Sequence, residues 1–204
     1  MAALALKAFL TLLVVIDPVG LVPTFLSLAG GRGAEEQRRI ARKSVLVAGG
    51  LLAAFGIGGS WLLHHLAISM DAFRVAGGLL LFLIAVDMVL AQHERETKEE
   101  QEEARSRADI SVFPLAIPMI TGPGTLASVM VLAAEGRAFA MGVPLVLGMG
   151  LIVLVLAYAA LRLAAPLARL LRQTGVNVVT RVLGVLLAAL AVQYVADGVK
   201  GLLA

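Results

Sequence analysis

Thr121-Gly122-Pro123-Gly124 sits in the middle of an apolar run, residues 110–134, that contains no charged residue. At about 1.5 Å per residue, roughly twenty helical residues cross the ~30 Å hydrocarbon core of a bilayer, so this run is long enough to span. Its centre is nevertheless the place least able to be helical. Proline removes a backbone donor and crowds the preceding turn, and glycine lowers the cost of leaving helical geometry. Lipid cannot satisfy the polar backbone groups that such a break exposes, so they must face protein or a water-filled cavity. A matching interruption, Asp17-Pro18-Val19-Gly20 with Pro23 just beyond, divides the first apolar run, residues 8–29. Two interrupted spans at corresponding places in two halves of one chain point to the binding site of a transporter.

The composition agrees with a membrane setting. Of 204 residues, 60% are hydrophobic and 15% charged, and mean hydropathy is +0.94. A soluble domain of this size carries about 25% charged residues. Without cysteine, the chain has no disulfide, thiolate nucleophile or cysteine metal site. No signal peptide is expected to stand apart from the first span, because residues 1–9 lead straight into it.

Four further runs can span: residues 44–63, 73–92, 138–161 and 176–199, with an interfacial helix expected to continue the fifth run through 162–172. In the resulting six-span arrangement the 17 lysines and arginines divide unevenly. Lys7, Arg74, Arg137 and Lys200 fall on one side and the other thirteen on the opposite side. By the positive-inside rule the thirteen-residue side is cytoplasmic, which places both termini outside. The linker 93–109 is the one strongly polar stretch. Its Glu94–Lys98 and Glu103–Arg107 pairs have the acid-first spacing of a solvated helix, so it reads as a charged cytoplasmic connector.

The two halves read as related. Ile16-Asp17-Pro18-Val19-Gly20 aligns with Ile120-Thr121-Gly122-Pro123-Gly124 at an offset of 104. Arg74-Val75-Ala76-Gly77-Gly78-Leu79-Leu80 aligns with Arg181-Val182-Leu183-Gly184-Val185-Leu186-Leu187 at an offset of 107. Three spans per half is an odd number, so the second half enters the membrane inverted. The expected fold is an all-α integral membrane protein of six transmembrane helices in two inverted three-helix repeats, residues 1–92 and 110–204. Its first and fourth helices break at mid-membrane.

At the second break, Pro123 suits the first position of a new helix, with Thr121 or Gly122 near its cap. The free N–H groups and positive dipole end there favour an anionic group such as a carboxylate. A plain proline kink is the competing reading. Asp17 is a carboxylate inside a span, where burial costs at least ~2.5 kcal/mol, and is a functional candidate on that ground. It can accept a substrate ammonium, hold a cation, carry a proton, or cap the second part of its own helix. Asp87 is the second ion-coupling candidate, although its place near a span's end also suits pairing with an arginine. Glycines 20, 122 and 124 leave little bulk around the breaks, so a small, backbone-lined cavity is expected. The candidate substrate contacts are Asp17, Pro18, Gly20 and Thr24 at the first break and Thr121, Gly122, Pro123, Gly124 and Thr125 at the second.

Other chemistries fit less well. The spaced glycines from Gly122 formally match a dinucleotide fingerprint, but that needs a preceding strand, and these lie in an apolar span. An intramembrane aspartyl protease needs paired carboxylates, and the glycine-x-glycine-aspartate motif is missing around both Asp17 and Asp87. His64 and His65 suit a polar interfacial end better than a metal site. Gly49-Gly50, Gly56, Gly58, Gly59 and Gly77-Gly78 suit close helix packing. No enzyme activity, metal, organic cofactor or nucleic-acid partner is therefore expected, and nothing specifies an oligomeric state.

Three blocks carry a family likeness: Val15-Ile16-Asp17-Pro18-Val19-Gly20-Leu21-Val22-Pro23-Thr24-Phe25, Phe73-Arg74-Val75-Ala76-Gly77-Gly78-Leu79-Leu80, and Phe113-Pro114-Leu115-Ala116-Ile117-Pro118-Met119-Ile120-Thr121-Gly122-Pro123-Gly124. Over nearly its whole length the chain resembles the MarC/SnatA family of six-span membrane proteins, also catalogued as small neutral amino acid transporters. The resemblance implies a bacterial or archaeal inner-membrane protein with both termini outside. For some relatives it implies transport of glycine, alanine and similar amino acids coupled to sodium or protons. A non-transporting membrane scaffold or stress-associated protein is the alternative.

Overall fold

A computed structural model describes residues 1–90 and 109–204, all helices and connections with no strand among them. The first span is two helices, α1 (Ala2–Ile16) and α2 (Leu21–Ala29), bent by 42°. Asp17 makes the bend. The residue before a proline is disfavoured in helical geometry, and Asp17 turns into the left-handed region (φ 45°), which aspartate tolerates better than most residues. Its N–H still reaches Leu13 O at 3.0 Å, and its own carbonyl accepts Leu21 N–H at 3.1 Å. One residue thus closes α1 and starts α2.

Helix α3 (Ala34–His65) begins in a charged turn with Glu35 and Glu36 at its positive end and continues as the second span. Helix α4 (Met70–Leu90) is the third. The expected pairs Glu94–Lys98 and Glu103–Arg107, and the end of that span at Gln92, lie outside the described residues. Where the chain is next described, Lys43 of α3 and the hydroxyl and N–H of Ser111 hydrogen-bond Asp109. Lys43 first, then Ser111, hold that carboxyl well below the usual carboxylate range.

The fourth span is the most irregular. Its first part, α5 (Ser111–Ile120), was expected to be an ordinary helix and is a wide coil. Pro114 and Pro118 drive Phe113 and Ile117 into extended geometry (φ −125° and −126°), and the Phe113–Pro114 and Ile117–Pro118 bonds are cis. The coil keeps i to i+5 bonds, Leu115 N–H to Ile110 O at 3.3 Å and Thr121 N–H to Ala116 O at 2.9 Å. Helix α6 (Pro123–Gly136) leaves it at 58°, with Gly122 at the cap and Pro123 in the first turn.

Helices α7 (Gly142–Arg162) and α8 (Ala164–Leu203) complete the chain. The interfacial segment expected to prolong the fifth span belongs instead to the start of α8. Arg172 (φ 52°) breaks α8 there, leaving the membrane-length part Thr174–Leu203. By length and composition four helices can cross a membrane, or six spans if each bent pair counts as one.

Packing is built on small residues. Helix α4 lies along α8, where a Cβ on Gly78 would stand 2.8 Å from Ala191 O and one on Gly184 2.8 Å from Met88 Cβ. Only glycine allows backbones this close, and close backbones are how helices associate without a hydrophobic drive. Helix α3 packs on α7, and α1 and α6 meet at the centre. Most of α6 is buried, from Gly124 to Gly136. By contrast Leu46, Ile57, Trp61, Leu83, Leu151 and Val182 point outward, as lipid-facing side chains do.

Candidate functional site

The two breaks lie across one cavity of about 390 Å³. Val15, Ile16 and Asp17 from the end of α1, and Gly20, Leu21 and Thr24 from the turn and α2, form one wall. Gly122, Pro123, Gly124 and Thr125 form a second wall, with Pro118 and Met119 of α5. Ile84, Asp87 and Met88 of α4 and Thr180 of α8 close the sides. A volume near the lower end of the ~300–1,000 Å³ usual for ligand pockets suits a small solute.

The two walls differ in charge. Asp17 is 9% exposed; its Oδ1 accepts Gly20 N–H at 3.0 Å and its Oδ2 accepts the Thr180 hydroxyl at 3.3 Å. The positive end of α2 starts beside it, a favourable place for an anion. Glycine at position 20 leaves the carboxylate room to fold back, since a Cβ there would stand 2.8 Å from Asp17 Cγ. Across the cavity α6 begins at Gly122 with no side chain capping its first turn. At the second break Ala116 O accepts the Thr121 hydroxyl at 2.7 Å in addition to the Thr121 N–H, and Ile120 O accepts the Thr125 hydroxyl at 3.0 Å. An acceptor carboxylate and the electropositive start of a helix thus line the same cavity.

Of the residues read as candidates from sequence, Asp17, Gly20, Thr24, Gly122, Pro123, Gly124, Thr125 and Asp87 come together on this cavity. Pro18 and Thr121 do not. Pro18 faces a separate apolar groove with Val19, Leu156 and Leu163, and Thr121 is buried against Ala116. Asp87 lines the cavity and has no ion pair with an arginine among the described residues. Gly124 needs a finer correction. A Cβ there would not fill the cavity but would stand 2.9 and 2.8 Å from Leu81 and Ile84 of α4. Sequence reading also passed over Thr180. Its signal was a hydroxyl within a stripe at helical spacing (Val176, Thr180, Gly184, Leu187, Ala191) that is otherwise apolar and turns inward.

Residues 2–203 match the model of the family described as MarC family integral membrane protein. The chain is 38% identical over 202 residues to the UPF0056 membrane protein of Aquifex aeolicus, covering 98% of this chain and 94% of that one. It is 35% identical over 197 residues to the UPF0056 membrane protein MJ1677 of Methanocaldococcus jannaschii, covering 96% of each. It is 32% identical over 198 residues to the UPF0056 membrane protein YhcE of Escherichia coli, covering 96% and 92%. No solved structure matches.

Proposed function

Because the chain belongs to the MarC family of integral membrane proteins, we propose that it is a secondary transporter of small neutral amino acids such as glycine and alanine, not an enzyme. The observation that carries this reading is the pairing of Asp17 with the uncapped start of α6 across a cavity of about 390 Å³. A zwitterion needs both an acceptor for its ammonium and donors for its carboxylate. The mostly apolar remainder of the wall (Val15, Ile16, Leu21, Ile84, Met88, Met119) accepts a hydrogen or methyl side chain without stranding a polar group. A sodium ion or proton is the coupling species, with Asp17 and Asp87 the carboxylates within reach.

In this reading the two halves are inverted repeats in the prokaryotic cytoplasmic membrane, with both termini outside. Exchanging α1 with α5, α2 with α6, α3 with α7 and α4 with α8 supports the repeat. The pairs α3–α7 and α4–α8 map onto themselves, α1–α7 maps onto α3–α5, and α4–α6 maps onto α2–α8. All of these are packed pairs. Counterflow of labelled glycine or alanine into proteoliposomes preloaded with the unlabelled amino acid tests the proposal. Accumulation above protein-free vesicles is expected, and its absence in correctly inserted protein would leave the non-transporting scaffold.

A further inference from the structure

The cavity occupies only one side of the break. It is reached by the last turns of α4 (Ile84–Met88), the early part of the long segment of α8 (Thr180) and α5 (Pro118, Met119). On the other side, where α4 starts and α8 ends, four helices close tightly. A Cβ on Gly77 would lie 3.0 Å from that of Ala127, and one on Gly198 would lie 2.7 Å from Asp71 O. Charged side chains cap this closure. Lys7 of α1 bonds both carboxylate oxygens of Glu135 of α6 at 2.9 and 2.7 Å. Arg74 of α4 reaches Glu135 at 3.7 Å and Asp71 at 3.1 Å.

Beneath this cluster lies a polar patch that the cavity does not use. The hydroxyls of Ser128 (0% exposed) and Tyr194 (2% exposed) are buried with no partner outside the patch, and Nε of Arg74 has none. Tyr194 sits beside Thr11 and Ser128, and within the field of Glu135 and Arg74. Ser128 is one helical turn along α6 from Gly124 on the cavity wall. Burying polar groups costs free energy that contacts among themselves do not fully repay, and three hydroxyls and a guanidinium N–H gathered between α1, α4, α6 and α8 need a reason. A second arrangement of the helices, in which these groups meet a polar solute or water, supplies one.

We infer that Lys7, Glu135, Arg74 and Asp71 form a gate on the side of the molecule opposite the cavity. Thr11, Ser128 and Tyr194 line the polar passage that the gate closes, a second station for the same class of zwitterionic solute. The inference rests on the transport reading, but its test does not need a transported substrate. The chain has no cysteine, so Ser128→Cys or Thr11→Cys introduces a single thiol. A membrane-impermeant maleimide is applied from the side of Lys7 and Glu135. Labelling is expected to be slow in the parent and about two- to fivefold faster when Glu135→Gln removes the ion pairs, the range for partly exposed pairs. Lys7→Gln should act in the same direction.

Ala157→Cys, buried on α7, is the control and should stay slow. Equal labelling with and without Glu135→Gln at both reporters would overturn the gate, as would a matching rise at Ala157→Cys, which marks general loosening. Unchanged labelling in protein that performs glycine counterflow removes the gate alone. Faster labelling in protein without counterflow removes the substrate reading alone.

Discussion

Asp17 holds its backbone in a left-handed turn, accepts Gly20 N–H and the Thr180 hydroxyl, and presents its carboxylate to the cavity. The structural role and the proposed ligand-binding role separate in Asp17→Asn. Asparagine keeps an oxygen for Gly20 and tolerates the turn, so the variant should insert and unfold near the parent temperature. Transport should fall about ten- to a hundredfold, the worth of one charge-assisted hydrogen bond of ~1.5–3 kcal/mol. Equal losses in transport and stability would assign Asp17 to capping. At Gly124 the direction of the missing Cβ matters. Gly124→Val meets Leu81 and Ile84, so it should destabilise by about 1–3 kcal/mol, as overpacking does, whereas Gly148→Val enters open space and should be nearly silent. Thermal unfolding of the two variants in detergent distinguishes them. Asp17, Gly122 and Gly124 were legible in sequence because a charge, or Gly-Pro-Gly, inside an apolar run contradicts its surroundings. Thr180 was not, because one threonine costs an apolar span little. Nor was the turning away of Pro18 and Thr121, since at a break side-chain direction follows non-helical torsions, which have no period to read.

The breaks themselves are the next scale. Each answers its freed backbone groups differently: the first through the Asp17 side chain, the second through the Thr121 and Thr125 hydroxyls. Thr121→Val keeps the shape and removes one of the two hydrogen bonds to Ala116 O, the Thr121 N–H bond remaining. The expected cost is about 0.5–1.5 kcal/mol of stability, with the substrate preference of the remaining folded protein unchanged. Denaturation followed alongside amino-acid competition measures both, and a changed preference would place Thr121 in the site. The position of each break could be read from Pro18 and from Gly122-Pro123. The loss of regular helix along α5 could have been read too, from Pro114 and Pro118 four residues apart, each removing a donor and constraining the residue before it. An uninterrupted apolar run masked that signal.

Over the whole molecule, the distribution of 17 basic residues predicts the orientation. Reporters fused before Met1 and after Ala204 should both read external, and one near Gln101 cytoplasmic. The ends of the chain do lie together, since Gly201 packs against the Asp71 carboxylate near the Lys7–Glu135 pair. With the linker cytoplasmic, a cytoplasmic C-terminus would give the second half an even number of spans and end the case for inverted halves. Helix number was legible because each span is a long apolar run. The crossing of α4 with α8 was foreshadowed only as glycines, which announce close packing but not the partner. The central claim, that the cavity grips a zwitterion at both ends, is tested most directly by competition against labelled glycine counterflow in proteoliposomes. Unlabelled alanine should compete as glycine does. Glycinamide, which lacks the carboxylate charge, and acetate, which lacks the ammonium, should each compete about tenfold or more weakly, one charge-assisted contact being worth ~1.5–3 kcal/mol. Glycinamide or acetate competing as well as alanine would contradict the account.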